Sequence, residues 1–148
     1  MTAPLRILMA EDSDADAKIA LRAFEKTGTP NVIRTVRDGQ EALDYLYGRG
    51  AFTDRSKFFK PDLLLLDLNM PRVDGFAVIE ALKGDPAMRE IPIVVMTTSR
   101  HTGDVLRAFH AGAVSYVTKP ADFEAFMRVV DGFCVYWHDV SLLPGRTE

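Results

Sequence analysis

Four consecutive leucines, Leu63–Leu66, stand between Pro61-Asp62 and Asp67. The run is too short for a helix and has no apolar/polar alternation. A strand of that kind is covered on both faces, which happens where helices flank a parallel sheet. The rest of the chain fits that frame. Short apolar runs at Leu5–Met9, Asn31–Val36, Ile91–Met96 and Val114–Val117 read as four more strands, and segments of helical period separate them. Strand and helix alternating five times predicts an α/β fold, one right-handed doubly wound parallel sheet with helices on both faces.

The helices have their own signals. Asp14–Lys26 carries Ala17, Ala20, Leu21 and Phe24 at three- and four-residue spacings. Asp38-Gly-Gln-Glu41 reads as a capped start, with an acceptor at Asp38 and an acid three residues on. Val78, Ile79 and Leu82 give a third helix its apolar face, and Val105, Leu106 and Phe109 a fourth. The stripe Phe123, Phe126, Met127, Val130, Phe133, Cys134, Trp137 predicts a long last helix packed on the core. Residues 1–140 are expected to form one domain, with 48–60 an extended loop inserted before the third strand and 141–148 a flexible tail containing Pro144 and Gly145.

Composition removes several functions. The 148 residues are 47% hydrophobic and 26% charged, with a net charge of −3, so neither nucleic acid nor an anionic membrane surface has a basic face to bind. No apolar run approaches the roughly 20 residues of a membrane span, and the apolar N-terminal stretch is too short for a signal-peptide core. Cys134 has no second cysteine to pair with. A reducing, cytoplasmic setting is the expectation.

In sheets of this type ligands gather where the strands end. The first strand ends in Glu11-Asp12, the third in Asp67, the fourth in Thr97-Thr98-Ser99 and the fifth in Thr118-Lys119-Pro120. Carboxylates about 4 Å apart repel by roughly 4 kcal/mol per pair at an effective dielectric near 20. They stay ionised together only around a cation, or one takes a proton. An all-oxygen donor set suits Mg²⁺ better than zinc or copper, which favour His and Cys; His101, His110 and His138 lie away from these strand ends. With its charge balanced, a carboxylate can attack phosphorus. The cation, the Lys119 ammonium and the Thr97 hydroxyl would then share the charge on the phosphoryl oxygens. Charge and reach alone leave open which of the three acids is attacked.

Ile7-Leu-Met-Ala-Glu11-Asp12, Leu63-Leu-Leu-Leu-Asp67-Leu-Asn-Met-Pro71, Val94-Val-Met-Thr97 and Tyr116-Val-Thr-Lys119-Pro120 together resemble the receiver domains of bacterial two-component response regulators, over roughly Leu5 to Val130. The resemblance implies a flavodoxin-like (βα)5 sheet of order 2-1-3-4-5. It makes Asp67 the phosphoacceptor, with Glu11, Asp12, Asp67 and the main-chain carbonyl of Asn69 around Mg²⁺, for which Mn²⁺ can substitute. It makes Thr97 the switch hydroxyl, Tyr116 the aromatic that turns inward with it, and Lys119 the cation, before a cis bond to Pro120. Two positions depart from the commonest pattern. Glu11 stands where Asp is commoner, and Thr98 where a smaller residue is frequent, which restricts access to the phosphoryl group.

The 48–60 segment, the Thr97-Thr-Ser sequence and the Trp137-containing extension are similar to a narrower group, single-domain regulators serving phytochrome-type histidine kinases. A sensor kinase partner is implied, with the readout through partner binding or onward phosphotransfer. Apolar residues beyond the usual receiver end, through Tyr136, Trp137, Val140, Leu142 and Leu143, suggest a homodimer through the C-terminal helix or the fourth-to-fifth-helix face. Two other readings stay open. A phosphohydrolase turning over through an aspartyl-phosphate would want an acid two residues after the nucleophile, where this chain has Asn69. A receiver-like binding module without chemistry would be expected to lack an acid, the Thr or the Lys, and none is missing.

Overall fold

The computed structural model describes residues 3–146. Strand β1 (Leu5–Ala10) leads to α1 (Asp14–Lys26), β2 (Asn31–Val36), α2 (Gly39–Tyr47), β3 (Leu63–Leu66), α3 (Gly75–Lys83), β4 (Ile93–Thr97), α4 (Thr102–Ala111), β5 (Ser115–Thr118) and α5 (Phe123–Val135). The five strands form one parallel sheet of order β2-β1-β3-β4-β5. Every residue of β3 and β4 is buried, and all of β1 except Arg6, whereas β5 is only half-buried throughout. That follows from sheet order, because the three most apolar strands are the central ones.

Successive side chains point to opposite faces, which divides the core in two. One layer joins Leu8, Leu64, Leu66, Ile93 and Val95 to Ile79 and Leu82 of α3. The other joins Leu5, Ile7, Leu63, Leu65, Val94 and Met96 to Phe24 of α1 and Phe126, Val130, Phe133 and Cys134 of α5. Phe24 meets Phe133 edge to face, with centroids 5.9 Å apart. The helices start on side-chain caps: Ser13, Asp38, Asp74 and Asp122 each accept from a first-turn N–H of α1, α2, α3 and α5.

Three expectations change. The α4 residues Leu106 and Phe109 do not face the core but are 53% and 45% exposed, and Ala108 is the buried position. Spacing marks a stripe without saying which stripe packs, and here the small side chain lets the helix approach the sheet. The 48–60 insertion is not merely a surface loop. A 3₁₀ turn at Gly50–Phe52 puts Phe52 and Phe58 against buried Tyr45, with ring centroids 5.1–5.9 Å apart. Beyond α5 the chain makes a π-helical turn, Tyr136–Val140, closed by the Ser141 N–H on the Tyr136 carbonyl at 2.7 Å. That turn returns Leu143, inside the segment read as a tail, to the α1–α5 layer, where it is buried. Residues 147 and 148 lie outside the described residues.

Candidate functional site

Strand register explains why distant residues meet. Ala10 pairs with Leu66, Leu66 with Val95 and Val95 with Tyr116, so one row crosses the sheet near its C-terminal edge. One step on from Ala10 and Leu66 stand Glu11 and Asp67. Two steps on from Val95 is Thr97, paired with Thr118 and followed across the edge by Lys119. Backbone bonds hold the rim: the Asp67 N–H donates to Ala10 O at 3.1 Å, Glu11 N–H to Val36 O at 2.9 Å, and Lys119 N–H to Thr97 O at 2.8 Å. The turn after Asp67 is closed by the Gly75 N–H on Leu68 O at 3.0 Å. A Cβ on Gly75 would come within 2.5 Å of the Asp67 carbonyl, so only glycine allows the chain to fold back so tightly.

Carboxylate oxygens of Glu11, Asp12 and Asp67 lie within 4.8 Å of one another. Glu11 is buried, Asp67 half-buried and Asp12 exposed. The Lys119 Nζ donates to Asp67 Oδ2 at 3.1 Å and to Glu11 Oε1, with Asp16 Oδ2 at 3.9 Å. Burial opposes the Lys119 charge, but its bond to Glu11 and the charges of Asp67 and Glu11 outweigh that and hold its pKa above the ordinary lysine value. Burial likewise pushes the Glu11 carboxyl up, against the downward pull of Lys119. This hard, oxygen-only, net negative cluster suits a small divalent cation.

Thr97 is wholly buried, and its hydroxyl accepts a long bond from the Ser99 N–H at 3.5 Å. Thr98 is exposed and lines a cavity of about 630 Å³ together with Glu11, Asp67 and Lys119; Leu65, Met96 and Phe126 supply part of its apolar wall. The structure thus brings Glu11, Asp12, Asp67, Thr98 and Lys119 together, while Thr97 sits at the end of β4 turned toward Ser99. Asn69 is exposed and donates its N–H to Asp67 Oδ1 at 3.3 Å. Tyr116 is half-buried on β5, its hydroxyl donating to Ser99 O at 3.0 Å.

The cis bond expected before Pro120 is a correction: every peptide bond among the described residues is trans. Trans is the favoured state of an X–Pro bond by about 0.5–1 kcal/mol unless packing selects against it. From the trans bond Lys119 still reaches both Asp67 and Glu11.

Sequence reasoning missed Ser99. It donates from its N–H to Thr97, accepts from Tyr116, and donates from Oγ to Asp104 Oδ2 of α4 at 2.6 Å. The two expected switch residues and the fourth helix therefore share one hub. Two of its partners are local, Thr97 two and Asp104 five residues away, but Tyr116 lies 17 positions on and no spacing announces it.

Comparison with known proteins agrees with this geometry. The family model described as "Response regulator receiver domain" matches residues 7–131. The chain is 39% identical over 142 residues to the probable methanogenesis regulatory protein FilR2 of Methanothrix harundinacea, covering 96% of this chain and 89% of the relative. It superimposes on the phosphorylated cyanobacterial phytochrome response regulator RcpA with a TM-score of 0.87 at 35% identity, over 96% of this chain and 99% of that one. The Mn²⁺-bound form of response regulator Rcp1, a protein of Synechocystis sp., gives a TM-score of 0.84 at 31% identity, over 95% and 99% of the two chains. With the 2-1-3-4-5 sheet and the acidic rim at its C-terminal edge, these matches establish that the chain belongs to the response-regulator receiver family of two-component signalling.

Proposed function

We propose that this chain accepts a phosphoryl group on Asp67 from the phosphohistidine of a sensor histidine kinase, in a reaction that depends on Mg²⁺, with Mn²⁺ able to substitute. The observation that carries it is the Lys119 Nζ set between Asp67 and Glu11 within a three-carboxylate cluster. Glu11, Asp12, Asp67 and the Asn69 main-chain carbonyl would hold the ion, which when bound neutralises phosphoryl oxygens. An Asp67 carboxylate oxygen attacks phosphorus in line as the phosphorus–nitrogen bond of the donor imidazole breaks, and the released imidazole keeps the electron pair and takes up a proton. Lys119 neutralises charge on the arriving oxygens. Thr97 rotates from Ser99 to bond one of them, and Tyr116, freed from Ser99 O, moves inward. Because Ser99 also holds Asp104, the change reaches α4. A local charge event thereby biases a packed surface, which a partner reads or from which the phosphoryl group passes onward.

The protein is on this reading a signalling phosphoacceptor of the cytoplasm rather than an enzyme acting on other molecules. The likeness to RcpA supports a phytochrome-type kinase as donor. No helix among the described residues is long and apolar enough to cross a membrane. Asn69, an amide two residues after Asp67, counts against a phosphohydrolase, since its N–H is far too weakly acidic to protonate a leaving group. The presence of every acid, Thr and Lys counts against a binding module without chemistry. Radiolabelled phosphate on an autophosphorylated kinase of the light-sensing class should move to the wild type and not to Asp67→Asn. Transfer to Asp67→Asn at the wild-type rate would refute the assignment.

A further inference from the structure

Arg72 is the one non-glycine residue with positive φ among the described residues, at 65°. It lies in the turn that carries Asn69, and its guanidinium grips Asp38 with two bonds, Nε to Oδ2 at 2.9 Å and Nη2 to Oδ1 at 3.0 Å. Asp38 is in turn the cap of α2, accepting from the Glu41 N–H at 2.8 Å. Beside this pair the backbones touch: a Cβ on Gly39 would sit 1.9 Å from Val73 O. Two residues before Asp38, Val36 O accepts from the Glu11 N–H. An unbroken line of contacts thus runs from the Glu11-Asp12 turn through Val36 and Asp38 to Arg72, three residues past Asn69. Burial would raise the Asp38 carboxyl, but the bonds from Arg72 and the Glu41 N–H hold it below the usual carboxylate range, so the grip stays charged at neutral pH.

We propose that Arg72 is a positioning residue for the cation site, setting the spacing between the Glu11-Asp12 turn and the Asn69 turn so that the site favours Mg²⁺ over the larger Ca²⁺. The inference rests on the metal reading given above. Mg²⁺ demands near-octahedral oxygens at about 2.0–2.1 Å, whereas Ca²⁺ accepts six to eight ligands at roughly 2.3–2.6 Å in irregular arrangements. Spacing held by a two-bond clamp matters to the first ion far more than to the second. Residues outside the ligand set commonly tune metal affinity in this way.

Arg72→Gly is the informative variant, because it removes the clamp while placing at φ 65° the residue that adopts that conformation without strain. Isothermal titration of the full chain with Mg²⁺ and separately with Ca²⁺ should show Mg²⁺ affinity falling about three- to tenfold and Ca²⁺ affinity by less than about twofold. The melting temperature should fall only slightly, because relief of the positive φ offsets part of the lost clamp. Asp38→Asn keeps a capping oxygen but loses the charge and should reproduce the selective Mg²⁺ loss. Unaltered Mg²⁺ affinity in both variants, or equal losses for both ions, overturns the inference. A wild type that takes up neither ion overturns the metal reading and this inference with it, whereas a wild type that binds Mg²⁺ beside unaltered variants overturns the inference alone.

Discussion

Two buried residues show how single side chains expose the energetics. Tyr45 is packed under the insertion, and its hydroxyl is the one buried side-chain polar atom without a hydrogen-bond partner among the described residues. Burying such a hydroxyl costs free energy that nothing returns. Tyr45→Phe should therefore stabilise the protein by about 1 kcal/mol in urea denaturation, and destabilisation by that amount would reveal a partner for the hydroxyl. Cys134 is buried in the α1–α5 layer, where burial, then the neighbouring Asp131 charge, pushes its thiol up to about 12. Its folded pKa is raised, so its contribution to stability is complete below the unfolded thiol value near 8.5 and drains away as pH climbs from there toward about 12. The native thiol should resist alkylation by iodoacetamide at pH 8 and react only after denaturation. Rapid labelling of native protein would contradict that. At this scale the sequence was informative where bonding is local, as at Asp38 and Glu41, and silent where it spans the fold, as at Ser99 and Arg72.

Elements were legible in proportion to how their patterns are decided. Each strand lies within two residues of its reading, and α1 matches Asp14–Lys26. The strands showed as short apolar runs and the helix as a three- and four-residue periodicity opened by a cap. What periodicity could not decide was direction: α4 turns Leu106 and Phe109 outward because Ala108 is the side chain that fits the sheet. Nor could it reveal that the 48–60 insertion folds onto α2, since the Tyr45–Phe52–Phe58 contacts join aromatics with no regular spacing, and Arg55 Nη1 adds a 2.7 Å bond to Tyr45 O. Phe58 is half-buried, so Phe58→Ala should cost about 1–3 kcal/mol, read from the urea midpoint. A loss under about 0.5 kcal/mol would mean the insertion is a passive loop after all.

Over the whole molecule, exposed apolar residues concentrate away from the rim. Leu106, Phe109 and Val114 lie on and just after α4, and Val135, Tyr136, Val140 and Leu142 along the end of α5 and the turn beyond it. We propose that a second copy covers this surface: light scattering should then give a dimeric mass that Val140→Asp combined with Leu142→Asp converts to monomer. A monomeric wild type at micromolar concentration would remove the idea. The fold class and the rim were visible in the sequence because strand ends in a parallel sheet share one edge, whatever their separation along the chain. The state of the Lys119–Pro120 bond was not, because packing selects it. The proposed switch rests on Asp67 as the carboxylate that receives phosphorus. Intact-protein mass spectrometry after incubation with acetyl phosphate and Mg²⁺, followed by peptide mapping, reads this directly. One added phosphoryl group should appear on the peptide containing Asp67, absent with EDTA and absent in Asp67→Asn; an unmodified wild type, or a phosphoryl group on another residue, would contradict it.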